Sequence, residues 1–399
     1  MTDSAIPPVV QTGRRAEGCP FEPSAEVNAM REQPDLPVFP RFHPFFGQFD
    51  ARAVTRYDDV RAVFAHEHVA ADMNADPDAP RTLFNQPGFL LAYDGPEHSR
   101  LRRMLGGAFT VRRLQHLRPW IESVVTDHLD AMERSGPGVD LVQAFALPIP
   151  SLVICELLGV PYSDRADFQH RSAVLLDTSR PQQEQFGNYA AMHAYMAGLV
   201  AKLRVEPGDG VLGEVITKHG DEITDEELIG FGNLLLIAGH ETTANMITLG
   251  TLALLRDPDQ LAAVRDDHDV ATSAIEELLR YLSIVTYLDR RATTETEVNG
   301  HHLKTDEWLS LSVMAANHDP ALVGDNPGLD VHRKPLPHLA FGFGAHQCLG
   351  QQLARVELKT TIPALLRRFP SLRLAVPFDQ VAFRTSSPIH GVTSLPVAW

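Results

Sequence analysis

The longest stretch of apolar residues at helical spacing begins at Thr224–Asp225–Glu226–Glu227 and runs to about Arg256, where Asp257–Pro258 ends it. A threonine followed three residues later by a glutamate is a capping box, so the helix start is written into the chain. Leu234, Leu235, Leu236, Ile237, Met246, Ile247, Leu249 and Leu252 put apolar side chains on most sides of this helix, which predicts that it is buried. The pattern is mostly helical from Pro96 to about Gly250, and a further helix follows Gly350, with Leu353, Val356, Leu358 and Ile362 on its apolar positions. Residues 50–68 predict a short strand and then a helix starting near Asp58. Strand-like runs occupy Leu288–Leu311, with Asn299–Gly300 as a hairpin turn. Residues 312–347 read as irregular and Pro-rich, and the tail from about 372 as short strands and turns. Residues 1 to about 35 are expected to drape over the surface. Residues 70–93, with Pro77, Pro80 and Pro87, are expected to form a long ordered loop, which in a compact protein usually serves function. The sum is a mainly α fold with a small β-rich lobe, in one domain over 1–399.

Composition narrows the function classes. The chain has 399 residues, 44% hydrophobic and 22% charged, which is enough for a large core. A net charge of −16 argues against nucleic acid as a partner. No run of about 20 apolar residues exists, so no membrane span is expected. The start, MTDSAIPPVV, lacks the basic region and apolar run of a leader. Three cysteines fit a reducing cytoplasm rather than a disulfide framework. Cys155, in LVICELLGV, and Cys19, in the Pro-rich start, read as small buried hydrophobes.

Cys348 is different. It lies in Phe341–Gly350, FGFGAHQCLG, immediately before a helix. Glycines let a loop turn its N–H groups toward a sulfur, and a helix N-terminus favours a thiolate. A single thiolate suits a haem axial ligand better than zinc or iron–sulfur, which need several ligands. A zinc site from His338, His346 and Cys348 is the rival, but it leaves the glycines and the two phenylalanines unexplained. The pattern F-G-x-G-x-H-x-C-x-G resembles the haem-binding loop of the cytochrome P-450 superfamily at every position. That resemblance implies the P-450 fold, with haem b (iron protoporphyrin IX) between the long central helix and the Cys loop. It implies Cys348 as the iron ligand and Phe341, Gly342, His346 and Gly350 as haem-binding positions.

Three further segments carry the resemblance. Ala238–Thr243, AGHETT, is polar inside an apolar helix, and a buried glutamate beside two threonines is costly without partners or a task. A threonine there can also bond back to its own helix. The segment resembles the superfamily's oxygen-activation motif. Ala238 and Gly239 would then leave room for dioxygen, Thr242 would hydrogen-bond it, and Glu241 would relay protons, with His240 a helix-face residue. In SAIEELLRY, Glu277 and Arg280 share a helix face. Such pairs are usually exposed and worth under about 1 kcal/mol. This one resembles the superfamily's E-x-x-R element, which implies a buried structural pair. Relatives often place an arginine where this chain has Gly328, so His332 and Arg333 are candidate third partners. DGPEHSRLRRMLGGAF resembles the helix at the haem edge. Asp94 is its candidate N-cap and Pro96 fits its first turn. The resemblance assigns His98 and Arg102 to the haem propionates, with His346 and Arg290. Arg291 is the rival of Arg290, because a one-residue slip reverses a strand's faces.

The resemblance also sets the substrate walls: the loop at 70–93, the helices near 165–200, the long helix at Leu234 and Ile237, the turn at Ile284 and Val285, and the tail near Ile389. Met192, Met196 and Phe186 either line that pocket or, as methionines at helical spacing more often do, fill the core. A mostly apolar wall favours a lipophilic substrate. No flavin or nicotinamide motif occurs. Electrons are therefore expected from a ferredoxin and its reductase, docking at Arg103, Arg112, Arg113 and Arg355. SPIHGVTSLPVAW and LLIAGHETTANM resemble the soluble bacterial group that oxidises macrolides, terpenoids, steroids and drugs. The implied protein is a cytoplasmic, monomeric haem-thiolate monooxygenase that places one oxygen atom from O2 into a C–H or C=C bond. The rivals are a peroxide-driven member, a member that couples rings or desaturates, and a haem-binding sensor without turnover. The Glu241–Thr242 pair counts against the first and is silent on the second.

Overall fold

The computed structural model describes residues 13–43, 47–71, 85–385 and 387–399. Pro77 and Pro80 of the expected long loop lie outside these residues; its later part holds a short 3-10 turn, Leu90–Ala92. Two compact units are distinguishable. One carries the described residues up to Ala71 with Glu276–Leu329 and Pro335–Gln347. The other carries those from Asn85 to Ile275 with Asp330–Lys334 and Cys348–Trp399. Among the described residues, no helix is long and apolar enough to cross a membrane.

The first unit is the β-rich one. Its five-stranded sheet runs, in spatial order, Val38–His43, Gly47–Val54, Trp308–Ser312, Tyr287–Ala292 and Val69–Ala70. Trp308–Ser312 is parallel to Gly47–Val54 and antiparallel to Tyr287–Ala292. Leu309 and Leu311 pack with Val54, Val60 and Leu339 in its core. The Asn299–Gly300 turn joins Thr296–Val298 to His301–Leu303 as expected. Both residues have positive φ, 53° and 82°, the backbone a two-residue hairpin of this hand requires. Two expectations change. Residues 13–35 do not drape loosely. They form strands Arg15–Ala16 and Cys19–Pro23 and helix Ala25–Glu32, with Phe21 and Val27 buried. The Arg15 guanidinium donates to the carbonyls of Leu282 (2.7 Å) and Ser283 (3.0 Å), so this polar residue ties the segment to the rest of the unit. Residues 312–347 begin with two short helices, Val313–Asn317 and Pro320–Val323, capped by the Ser312 and Asp319 side chains.

The second unit is helical. Asp225–Leu255 spans 31 residues and starts with the expected capping box: Thr224 accepts from the Glu227 N–H, and the Thr224 N–H donates to the Glu227 carboxylate at 2.8 Å. Helices Pro148–Leu158, Gln182–Val205 and Gln351–Arg368 pack against it. Met192 and Met196 are buried, and the Met196 thioether occupies the notch over Gly232, where an added Cβ would come within 2.3 Å of its sulfur. These methionines are core.

The Glu277–Arg280 pair lies inside the β-rich unit, with both side chains at 3% exposure or less. The guanidinium donates from Nε to Glu277 Oε2 (2.8 Å) and from Nη2 to Oε1 (2.7 Å). Its other donors reach the carbonyls of Asn317 (2.8 Å), Pro327 (3.1 Å) and Gly328 (2.9 Å). Gly328 therefore meets the pair through its backbone. Beside this pair, His318 is buried with its ring against Tyr281, 5.4 Å between centroids. Nδ1–H donates to the Met314 carbonyl at 2.9 Å. Burial pulls the imidazole from its ordinary 6.5 down to about 3, and the charges of Arg280, Arg15 and Arg31 act in the same direction.

Two outcomes are expected. Arg280→Met leaves the Glu277 carboxylate buried without this countercharge and should lower unfolding free energy by about 3–5 kcal/mol in denaturant titration. Between the two pKa values of His318 the unfolded chain takes up a proton that the folded chain refuses. Its share of stability is therefore full above 6.5 and is lost as pH falls toward 3. The melting temperature of His318→Asn should fall less steeply over that interval than that of the wild-type chain.

Candidate active site

The Phe341–Gly350 loop is shaped by its glycines. Gly342 and Gly344 have φ of 70° and 73°, left-handed values that L side chains avoid. A Cβ on Gly344 would also come within 2.6 Å of the Phe64 carbonyl oxygen, so the loop needs glycine there twice over. Phe343 is held under the Arg61 guanidinium, 4.5 Å above its ring. Phe341, Gly342 and His346 are half-buried. On the sheet, Arg290 stands over the Phe64 ring at 5.4 Å and donates to the Asp289 carbonyl at 2.8 Å. Arg291, on the opposite face, is engaged by Asp306 at 2.9 Å. Ile284 is buried and Val285 half-buried, after Ser283 at the end of helix His268–Leu282. These residues belong to the β-rich unit.

The helical unit begins its share at Cys348. The backbone N–H groups of Gly350 and Gln351 point at its sulfur, and the guanidinium groups of Arg102 and Arg355 add positive charge nearby. Gly350 is the cap of helix Gln351–Arg368, so the sulfur also meets a positive helix end. Burial is the larger influence and pushes the thiol up; the N–H groups and arginines oppose it. The side chain is nevertheless open to solvent, which describes a sulfur closely ringed by protein but reachable. Two N–H donors, two cations and an accessible thiol fit a thiolate iron ligand. Among the described residues, no three His, Cys, Asp or Glu side chains are grouped to hold a metal ion on their own, and His338 turns to Glu276 at 3.3 Å. The other cysteines do not compete: burial pushes Cys155 up to about 12, and Cys19 lies half-buried among the N-terminal strands. His98 and Arg102 lie one turn apart on helix Gly95–Gly106, the first buried, the second half-buried. Burial lowers Arg102, and the neighbouring Cys348 opposes that shift.

The central helix carries the clearest anomaly. Every residue from Leu228 to Leu254 is buried except three: Ala238 is exposed, and Gly239 and Thr242 are partly so. Leu234, Ala238 and Thr242 form one stripe at four-residue spacing. The Thr242 hydroxyl donates back to the Ala238 carbonyl at 2.8 Å. Gly239 also has a packing task. Its missing Cβ is what admits the Ile154 side chain, whose Cδ1 would lie 2.6 Å from an added Cβ. The next stripe is Ile237, Glu241 and Asn245, all buried. Glu241 Oε2 meets Arg384 Nη1 at 2.9 Å, and Asn245 Nδ2 donates to the Glu241 carbonyl at 2.7 Å. His240 is fully buried. Its Nδ1–H donates to the Leu236 carbonyl at 2.6 Å and its Nε2 lies 4.0 Å from Glu241 Oε1. Burial pulls it down, with Glu241 opposing. Ile389 is buried in the tail segment that carries Arg384.

Arg384 is the site residue that sequence reasoning missed. It is 143 residues from Glu241 and belongs to no local pattern. The expected basic patch also changes: Arg113 is bound by Glu214 and donates to the Asp209 carbonyl, whereas Arg103 and Arg112 are exposed. Glu214, on helix Val211–His219, is shared between Arg113 and Lys218 and so offsets that charge only in part.

The sequence profile described as Cytochrome P450 matches residues 209–374. Cytochrome P450-SU2 of Streptomyces griseolus is 42% identical over 392 residues, 96% of each chain. Vitamin D3 dihydroxylase of the same organism is 40% identical over the whole length of both chains. The crystal structure of CYP105P1 in complex with filipin I superposes with a TM-score of 0.90 at 40% identity, covering 98% of each chain. Identity of this order over nearly the full chain, with the same fold, means that the chain belongs to the cytochrome P450 family and is a haem-binding monooxygenase.

Proposed function

We propose that this monooxygenase inserts one oxygen atom from O2 into a C–H bond, or across a C=C bond, of a lipophilic natural product, steroid or drug-like compound, working in the cytoplasm with electrons from a ferredoxin and its reductase. The observation that carries the reading is the opening at Ala238 and Thr242 in an otherwise buried helix, with the Glu241 carboxylate one residue away. When bound, the haem supplies the iron at which dioxygen is reduced and an oxygen atom is passed to the substrate.

The residues divide the remaining work. Cys348 would ligate the iron, with the Gly350 and Gln351 N–H groups favouring its thiolate. Arg102, His98, Arg290 and His346 would balance the two propionates, and Phe341 and Gly342 would shape the haem-binding loop. Thr242 offers its hydroxyl at the opening, and Glu241 holds the proton that must arrive there. Proton supply to a reacting oxygen is work for a positioned acid, and a relay of carboxyl and hydroxyl meets it. Leu234, Ile237, Ile284, Val285 and Ile389 offer apolar contact to the substrate. Support for a large lipophilic substrate comes from relatives: one is named vitamin D3 dihydroxylase, and CYP105P1 was crystallised in complex with filipin I. Exposed Arg103 and Arg112 suit an acidic ferredoxin on a chain of net charge −16.

The ferrous–CO difference spectrum should show a strongly red-shifted Soret band in the wild-type chain and lose it in Cys348→Ser; a band at the histidine-ligated position in both would sink the thiolate assignment. Thr242→Ala should lower product formed per electron by about tenfold or more, with peroxide released instead. A sensor, or an enzyme fed by peroxide, would be indifferent to that change.

A further inference from the structure

Glu241 is a carboxylate at 3% side-chain exposure inside an apolar helix, and such a charge is stable only with a partner. His240 is a poor one: it is fully buried, 4.0 Å away, and disfavoured as a cation by its burial. The partner is Arg384, 2.9 Å from Oε2. Its side chain is 23% exposed, so it reaches from the buried carboxylate to solvent. Nor is it a loosely held surface arginine. Phe383 bridges Val392, and the Arg384 N–H donates to the Gly391 carbonyl at 2.8 Å. Gly391 sits against Asn245 so tightly that an added Cβ would lie 1.8 Å from Oδ1. Asn245 in turn donates to the Glu241 carbonyl. The tail hairpin is thus fastened to the helix one turn beyond Glu241, and the fastening fixes where the guanidinium falls.

We infer that Arg384 is the positioning residue of the proton route: it is the countercharge that allows Glu241 to give up a proton toward Thr242 Oγ1, and it links the acid to solvent for its return. The inference rests on the proposed role of Glu241. One proton from solvent water turns the carboxylate into an acid, and the acid passes one proton toward Thr242 and is a carboxylate again. The guanidinium stabilises that carboxylate; these residues transfer no electrons. Without Arg384, donation would create a bare buried carboxylate, and the step becomes uphill.

The test compares Arg384→Met, Arg384→Lys and Arg384→Met/Glu241→Gln in the full-length holoenzyme. Arg384→Met should lower the melting temperature, and the added Glu241→Gln, which removes the orphaned charge, should recover most of the loss. In turnover with electrons supplied, Arg384→Met should form several-fold less product per electron and show a larger solvent hydrogen isotope effect, with Arg384→Lys in between. A melting deficit that Glu241→Gln does not relieve would overturn the pairing. Relief of melting with wild-type yield per electron and isotope effect would reduce Arg384 to a structural residue and overturn the inference. A wild-type chain without the red-shifted ferrous–CO band overturns the haem-thiolate reading and this inference with it, whereas a normal band with unaltered yield overturns this inference alone.

Discussion

Glu241 sits in a helix buried along almost its whole length, and the price of a charge in that setting governs how the site is built. The protein solves the problem of a buried carboxyl in two ways. Glu241 and Glu277 are matched by guanidinium groups, Arg384 and Arg280, at hydrogen-bonding distance. Glu357, on the helix that follows Cys348, is handled differently. It is fully buried, Oε2 finds no hydrogen-bond partner, and burial holds the carboxyl well above the usual range, so it remains neutral. The distinction has functional content. A carboxyl that is only buried stays protonated and inert. One that is buried beside a cation with a path to solvent can change its proton count without leaving an unmatched charge. Of the three, only Glu241 has such a cation and also lies next to an opening in its helix.

Cys348 answers the same constraint with the opposite sign of compromise. Its surroundings would keep the sulfur neutral, and against them the chain sets two N–H groups, a helix end and two arginines. Each of these favours the thiolate, and together they would make an anion acceptable in a sulfur that ligates an iron. Gly342 and Gly344 fix the approach of the loop through their left-handed backbone, so the electrostatic arrangement depends on a steric one.

How much of this could be read from the chain follows the range of the interaction. The capping box at Thr224, the Asn299–Gly300 turn, the Glu277–Arg280 spacing and the Cys348 loop are all local, set by residues within a few positions of one another, and the residues stand where their patterns put them. What was missed is nonlocal. Arg384 reaches Glu241 across 143 residues, and nothing near it in sequence marks its task. Residues 13–35 were misjudged because their polar side chains look solvated, although Arg15 spends its donors on carbonyls of residues 282 and 283. Gly239 shows a subtler limit: the motif gives one reason for a small residue, and the packing adds a second in Ile154 that the sequence does not reveal. The Glu214 carboxylate shared by Arg113 and Lys218 is of the same kind, since charge counted along a sequence takes no account of what faces it.

The hydroxyl of Thr242 sets the last condition on the proton route. Its hydrogen is engaged by the Ala238 carbonyl, so at rest it presents lone pairs to its surroundings and acts as an acceptor. To donate at the opening it must release that carbonyl. The helix tolerates the release, because the bond to a carbonyl four residues back is extra to the helical ladder and slightly disfavours it. Glu241 needs no such release: Oε2 engages Arg384 on the tail side of the helix, which leaves Oε1 to carry the proton, while Thr242 lies one residue further around. Proton delivery therefore asks the hydroxyl, and not the carboxyl, to leave its partner. The Arg384 contact can persist through the step, because it joins opposite charges and is braced by Gly391 and Asn245. The tail thus sets the charge balance of the relay, and the motif sets its motion.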